Sequence, residues 1–142
     1  MEKIPSFQKN HDKLAAGLHS QTDANGITTF DLRFKKPNAG DYITPKALHT
    51  IEHLMATVLR NGGEKRNIVY FGPMGCRTGF YLLTVNLSYE TVLALLKESI
   101  PEALALEEIP GSKREECGNY LEHDIKDARR ELKAYLEILK KI

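Results

Sequence analysis

Thr44-Pro45-Lys46-Ala47-Leu48-His49-Thr50-Ile51-Glu52-His53-Leu54-Met55-Ala56-Thr57-Val58-Leu59-Arg60-Asn61-Gly62-Gly63 reads as one complete helix, with its start, its apolar face and its stop all present. Thr44 is an N-cap residue, and Pro45 suits the first helical position, where no backbone N–H is needed. Leu48, Ile51, Met55, Val58 and Leu59 recur at helical spacing and form an apolar stripe. Asn61-Gly62-Gly63 ends it. Inside this helix, His49 to His53 spells H-x-x-E-H. Side chains four apart project from one side of a helix, so His49 and His53 can reach one metal ion together. Glu52 lies roughly 60° around the helix from His49, close enough to handle a proton beside that metal. Histidine pairs on helices also arise as ordinary hydrogen-bonded features. The interposed glutamate favours a divalent metal with an acid/base group beside it, which makes the chain an expected enzyme.

Outward from the helix, Ile27 to Phe34 alternates. Thr28, Phe30, Leu32 and Phe34 share one face, and Ile27, Thr29, Asp31 and Arg33 share the other, so a half-buried strand is expected with Arg33 away from the Phe-rich core face. Pro37 to Asp41 is a turn, and residues 1–12 read as irregular. Downstream, Asn67 to Phe71 and Phe80 to Leu87 read as strands around a tight Gly72-Pro73-Met74-Gly75-Cys76 loop. Ser88 caps a helix through Val92, Leu95 and Leu96, expected to stop near Pro101. Residues 107–120 read as loop, and Ile125, Ala128, Leu132, Leu136 and Leu139 mark a last amphipathic helix, whose C-terminal dipole Lys140 and Lys141 complement. Strands and helices without regular βαβ alternation predict an α+β fold, an antiparallel sheet packed on one side by helices.

The 142 residues fit a single domain spanning 1–142 and can bury a core. Hydrophobic residues are 42% and charged residues 27% of the chain, an ordinary globular balance. Lys plus Arg is 20 and Asp plus Glu is 19, a net charge of +1, and no basic block is interleaved with aromatics, so nucleic acid is not an expected partner. No apolar run approaches the length of a membrane span, about 20 residues, and the N-terminus lacks a signal-peptide core, so no membrane partner and a cytoplasmic location are expected. In a reducing compartment Cys76 and Cys117 are better read as buried thiols, ligands or reactive groups than as a disulfide.

A catalytic metal takes about three protein ligands and keeps one position open. His49 and His53 supply two. Candidates for the third are Cys117, Cys76, His123 and the distal carboxylates. Cys117, in the polar stretch Glu115-Glu116-Cys117-Gly118-Asn119, reads as a ligand, with a free thiol as the alternative. Cys76, between Gly75 and Arg77, reads as a reactive thiol whose neighbouring arginine favours the thiolate, with a structural cysteine as the alternative. A His, His, Cys metal set with Glu52 and Cys76 as two proton carriers suits proton transfer beside a carbonyl. H-x-x-E-H also occurs in inverted zinc peptidases, but hydrolysis needs no reactive thiol. A non-enzymatic reading is a closed four-ligand metal module with Cys76 as the fourth ligand.

Ala47 to Leu54, Gly72 to Tyr81 (GPMGCRTGFY) and Glu116 to Asp124 (ECGNYLEHD), with the strand Thr29 to Phe34 and the opening Ser6-Phe7 and His11, resemble the S-ribosylhomocysteine lyase (LuxS) family from about residue 4 to the last helix. The resemblance implies an α+β layered sandwich carrying the metal helix. It also implies cleavage of S-ribosylhomocysteine to homocysteine and 4,5-dihydroxy-2,3-pentanedione, the precursor of autoinducer-2, by carbonyl migrations and β-elimination. On it, His49, His53 and Cys117 hold one Fe(II) or Zn(II) ion per subunit. Glu52 and Cys76 are the general acid/base pair, Ser6, His11 and Arg33 line the ribose pocket, and Ala56 and Arg60 lie near the homocysteine end. A homodimer with both sites at its interface is implied. His19 and His123 are left structural or exposed, although His123 lies within a family motif. One departure stands out: many members carry Asp-Ile-Ser where this chain has Tyr70-Phe71-Gly72, which removes a carboxylate near the expected amino acid end of the substrate. Tyrosine can still offer a hydroxyl, or a ring face to an ammonium group, so a shifted substrate preference is left open.

Overall fold

The computed structural model describes residues 1–142. The alternating segment forms the strand Ile27–Arg33 (β2), which pairs antiparallel with Gly17–Thr22 (β1) on one side and Gly79–Val85 (β4) on the other. Ile68–Pro73 (β3) completes the sheet along the far edge of β4, in the order β1-β2-β4-β3. The register sets Phe30 opposite Leu82, Leu32 opposite Phe80, and Leu82 opposite Phe71, so the apolar side chains share one face. Three long helices are Pro45–Asn61 (α2), Tyr89–Ala105 (α3) and Ile125–Lys140 (α4), and their buried residues join that face in a single apolar core. Each core Leu or Phe so removed from water contributes about 1.5–3 kcal/mol. An aromatic stack runs through the core, with Phe34 against Tyr135 at 4.1 Å and Phe71 against Phe80 at 5.2 Å.

The metal helix begins as read: the Thr44 side chain accepts from Ala47 N–H, and Pro45 follows it. Its buried arc is centred slightly around from the sequence stripe. Ala47, Thr50, Ile51, Leu54, Met55 and Leu59 are buried, whereas Leu48 and Val58 are half-buried, because the helix packs against α3, α4 and β3 together.

Several elements differ from expectation. The edge strand β1 has no alternating signature, since only its first two residues, Gly17 and Leu18, are buried. β4 ends at Val85 because Asn86 turns the chain with a left-handed φ of 57°. α3 runs through Pro101 to Ala105. Pro101 removes one bond in the helix ladder, but only a single turn follows it, and buried Ile100 and Ala103 anchor that turn. Within residues 1–12, Pro5–Gln8 forms one helical turn (α1).

The opposite face of the sheet carries Thr29, Asp31 and Arg33 with Leu83, Tyr81 and Gly79 beside them in register. The N-terminal segment covers part of it: Ser6 Oγ lies 3.2 Å from the Tyr81 hydroxyl, and Lys9 Nζ donates to Asp31 at 3.3 Å. Arg33 does point away from the core, yet it is only 2% exposed. No helix is long and apolar enough to cross a membrane.

Candidate active site

Two turns of α2 present His49 and His53 on one side, and the segment between α3 and α4 brings Cys117 to them. Cys117 Sγ lies 3.4 Å from His49 Nε2 and 4.0 Å from His53 Nε2. Bond lengths of about 2.3 Å to sulfur and about 2.0 Å to nitrogen give a tetrahedral S···N edge of about 3.5 Å, so the spacing suits one metal ion. The outer nitrogens set the tautomers. His49 Nδ1 meets the Glu122 carbonyl at 2.8 Å, and His53 Nδ1 meets the Pro110 carbonyl at 2.8 Å. A carbonyl only accepts, so each Nδ1 carries the hydrogen and each Nε2 offers a lone pair toward the thiol.

The sequence reading did not keep His123 in this cluster. The structure brings it in as a fourth donor: its Nε2 is 3.8 Å from Cys117 Sγ, and the ligand atoms of His49, His53, Cys117 and His123 all lie within 4.8 Å of one another. Its Nδ1 meets the Thr50 hydroxyl at 2.9 Å, and that hydroxyl also accepts from Asp124 N–H. Burial and the neighbouring His49 and His53 push the His123 imidazole down to about 4, which favours the neutral ring, the form able to offer a metal a lone pair, at pH 7. The available signal was its position, six residues past Cys117 and next to Asp124, the N-cap of α4. The group is consistent with one bound metal ion. It contains no carboxylate, which disfavours the peptidase reading, and no Cys76, which removes the proposed fourth thiol ligand.

Cys76 belongs to a separate arrangement. The turn from Met74 to Arg77 is closed by an Arg77 N–H to Met74 carbonyl bond, with Arg77 at φ 61°, and it leaves Cys76 exposed. The neighbouring Arg77 is the cation expected to favour the Cys76 thiolate. Its guanidinium instead donates to the Ile43 carbonyl and lies over the Tyr42 ring. Ile43 N–H in turn donates to the Arg77 carbonyl, which pins the Cys76 turn to the N-terminal end of the metal helix. The arginine linked to the thiol is Arg33, through Thr78: Arg33 Nη1 donates to Thr78 Oγ1 at 2.8 Å, and that oxygen is 3.1 Å from Cys76 Sγ. The remaining Arg33 bonds go to both Asp31 oxygens, at 3.0 and 2.6 Å. Gly79 allows this packing, because a Cβ there would collide with the Leu32 carbonyl of the paired strand.

Glu52 is half-buried beside the cluster on α2 and lies outside the donor group. Ser6 faces Tyr81, and His11 Nδ1 bonds the Lys9 carbonyl, so both belong to the segment over the sheet's second face. Arg60, on the last turn of α2, donates to the Val69 carbonyl at 2.7 Å, and Ala56 stands half-buried one turn before it. Val69 precedes Tyr70, whose half-exposed ring folds along β3 over Gly72. A Cβ on residue 72 would meet the tip of the Tyr70 side chain, which is half-exposed and can swing aside.

A family model described as S-Ribosylhomocysteinase (LuxS) matches residues 4–142. Full-length relatives named S-ribosylhomocysteine lyase include one from Borreliella afzelii (strain PKo), 46% identical over 100% of this chain and 95% of the relative. One from Finegoldia magna is 43% identical over 100% and 94%. One from Porphyromonas gingivalis (strain ATCC 33277) is 43% identical over 96% and 90%.

Proposed function

The chain belongs to the S-ribosylhomocysteinase (LuxS) family, and we propose that it cleaves S-ribosylhomocysteine to homocysteine and 4,5-dihydroxy-2,3-pentanedione, the autoinducer-2 precursor. The observation that carries this reading is the division of labour between two thiols: Cys117 converges with histidine nitrogens, while Cys76 stands apart on a hydroxyl. The reaction moves a carbonyl twice along the sugar and then eliminates the sulfur substituent. Each step removes a proton from carbon next to a carbonyl and returns one elsewhere, without net oxidation.

His49, His53 and Cys117 would hold an Fe(II) or Zn(II) ion, and when bound the ion supplies Lewis acidity that polarises a sugar carbonyl and acidifies the adjacent C–H. Glu52 and Cys76 exchange the protons, one acting as base while the other acts as acid. Ser6 and His11 line the ribose pocket, whereas Arg33, expected there too, is 2% exposed and committed to Asp31 and Thr78, so it acts on the pocket only through the residues above it. Ala56 and Arg60 receive the homocysteine end, where Tyr70 offers a ring face and a hydroxyl to the ammonium group in place of a carboxylate.

His123 supports a second reading, a closed four-donor site, since four protein ligands leave no open position. On the lyase reading, His49, His53 and Cys117 would hold the ion and His123 would remain on the Thr50 hydroxyl.

A homodimer with both sites at its interface is supported by the partly uncovered second face of the sheet. A cleft of about 420 Å³ there is lined by Ser6, Lys9, Thr29, Tyr81 and Leu83, with Ile4 and Phe7 exposed at the N-terminus. A cytoplasmic location is supported by the two free cysteines, which suit a reducing compartment. Thiol release from S-ribosylhomocysteine by metal-loaded protein tests the proposal. Homocysteine formation that disappears in Cys76→Ala is expected. No release from protein holding one metal per chain would refute this substrate and direct the search to molecules differing at the amino acid end.

A further inference from the structure

Thr78 sits at the foot of β4, 2% exposed, with its carbonyl accepting from both Phe34 N–H and Lys35 N–H. Its side chain meets two groups, Arg33 Nη1 at 2.8 Å and Cys76 Sγ at 3.1 Å. A guanidinium can only donate, so Thr78 Oγ1 accepts from Arg33 and keeps its one hydrogen. The remaining partner within reach is sulfur. Once Cys76 has given up its proton only the hydroxyl can donate across this contact, and its hydrogen then points at sulfur with a buried cation on the other side of the oxygen. A hydrogen bond donated to sulfur favours the thiolate and fixes where it points.

We propose that Thr78 is a positioning residue for the reaction, an obligatory hydroxyl that directs the buried Arg33 charge onto Cys76. The proposal rests on Cys76 being the proton carrier of the lyase reading. The charged groups linked to the thiol through Thr78, or carried on its own turn, come from three elements, and Glu52, its partner in the proposed proton exchange, stands on α2. Asp31 and Arg33 lie on β2, and both Asp31 oxygens accept from Arg33. Lys9 approaches from the N-terminal segment and also binds Asp31. Arg77, on the same turn, is engaged with Ile43 and Tyr42. With Asp31 shared between two cations and Arg77 turned away, Thr78 is the direct route from Arg33 to sulfur.

The test compares Thr78→Val, Thr78→Ala and Thr78→Ser in metal-loaded protein. The readout is the pH profile of Cys76 alkylation by iodoacetamide, located on the Cys76 peptide by mass spectrometry, with metal content and thermal unfolding alongside. Both variants lacking a hydroxyl should need higher pH to reach the wild-type alkylation rate, with a loss of about tenfold or more at neutral pH and in kcat. KM and metal content should hold, and Thr78→Ser should restore both profiles. Thr78→Ala lacks the extra methyl of the valine variant, so the comparison survives if Val folds poorly. A wild-type alkylation profile in Thr78→Ala, or a Thr78→Ser profile as displaced as that of Ala, would overturn the proposal. Alkylation needs no turnover. Displaced profiles in a protein inactive on S-ribosylhomocysteine would uphold Thr78 and refute the substrate instead.

Discussion

The two cysteines of this chain lie in surroundings of opposite design. Around Cys117 the partners are imidazole nitrogens, and two of those rings are aimed by backbone carbonyls of the 107–124 segment. Around Cys76 the partner is a single hydroxyl, held from below by a buried ion pair on the sheet. The first arrangement offers lone pairs and suits a cation. The second offers a hydrogen and suits a sulfur that gains and loses a proton. Residue type does not separate two cysteines in one chain; the direction of the surrounding hydrogen bonds does.

Substitutions can break that comparison on either side. The largest effect is expected from Cys76→Ala, which should lower turnover by at least about 100-fold while metal content stays at one per chain, read by rate assay and elemental analysis together. Metal loss in that variant would merge the two sites. His49→Ala should act in the opposite sense, weakening metal affinity by more than the roughly 10–100-fold typical of an outer-sphere change, as measured by chelator competition. Stoichiometric tight metal in His49→Ala would contradict the ligand assignment.

A smaller effect sharpens the role of the supporting shell. Thr50→Val removes the hydroxyl that His123 Nδ1 and Asp124 N–H share, and should weaken metal affinity by about tenfold. Turnover at saturating metal should stay close to wild type, because the Thr50 hydroxyl bonds His123 and Asp124 and neither proton carrier. The smallest effect is expected at Tyr70, away from both thiols. An exposed cation–π contact is worth about 0.5–1 kcal/mol, so Tyr70→Leu should raise KM by about two- to fivefold with little change in kcat. An unchanged KM would remove Tyr70 from the substrate's path.

Local periodicity made much of this legible. The α2 cap and its two histidines are short-range patterns that appear where the sequence puts them, and β2 forms as read, but its burial does not alternate, because Asp31 and Arg33 on the second face are buried as fully as Phe30 and Leu32. Features set by long-range geometry were not. Thr78 and Arg33 are 45 residues apart in sequence and meet through the β2–β4 pairing. Arg77 looked like the partner of Cys76 by adjacency, but its left-handed backbone conformation is part of the turn that sends its side chain to Ile43. His123 was passed over because a histidine in a loop has no periodicity to read, and its role depends on the segment folding back on Thr50. The edge strand β1 escaped because its side chains after Leu18 are largely exposed. Pro101 was misread as a stop because burial of Ile100 and Ala103 outweighs one missing helical bond.

The most direct test of the division between the thiols is the optical spectrum of the cobalt-substituted protein in wild type, Cys76→Ala and Cys117→Ala. The account predicts a sulfur-to-cobalt charge-transfer band of one thiolate in wild type, unchanged in Cys76→Ala and absent in Cys117→Ala. A band that weakens in Cys76→Ala, or persists in Cys117→Ala, would contradict it.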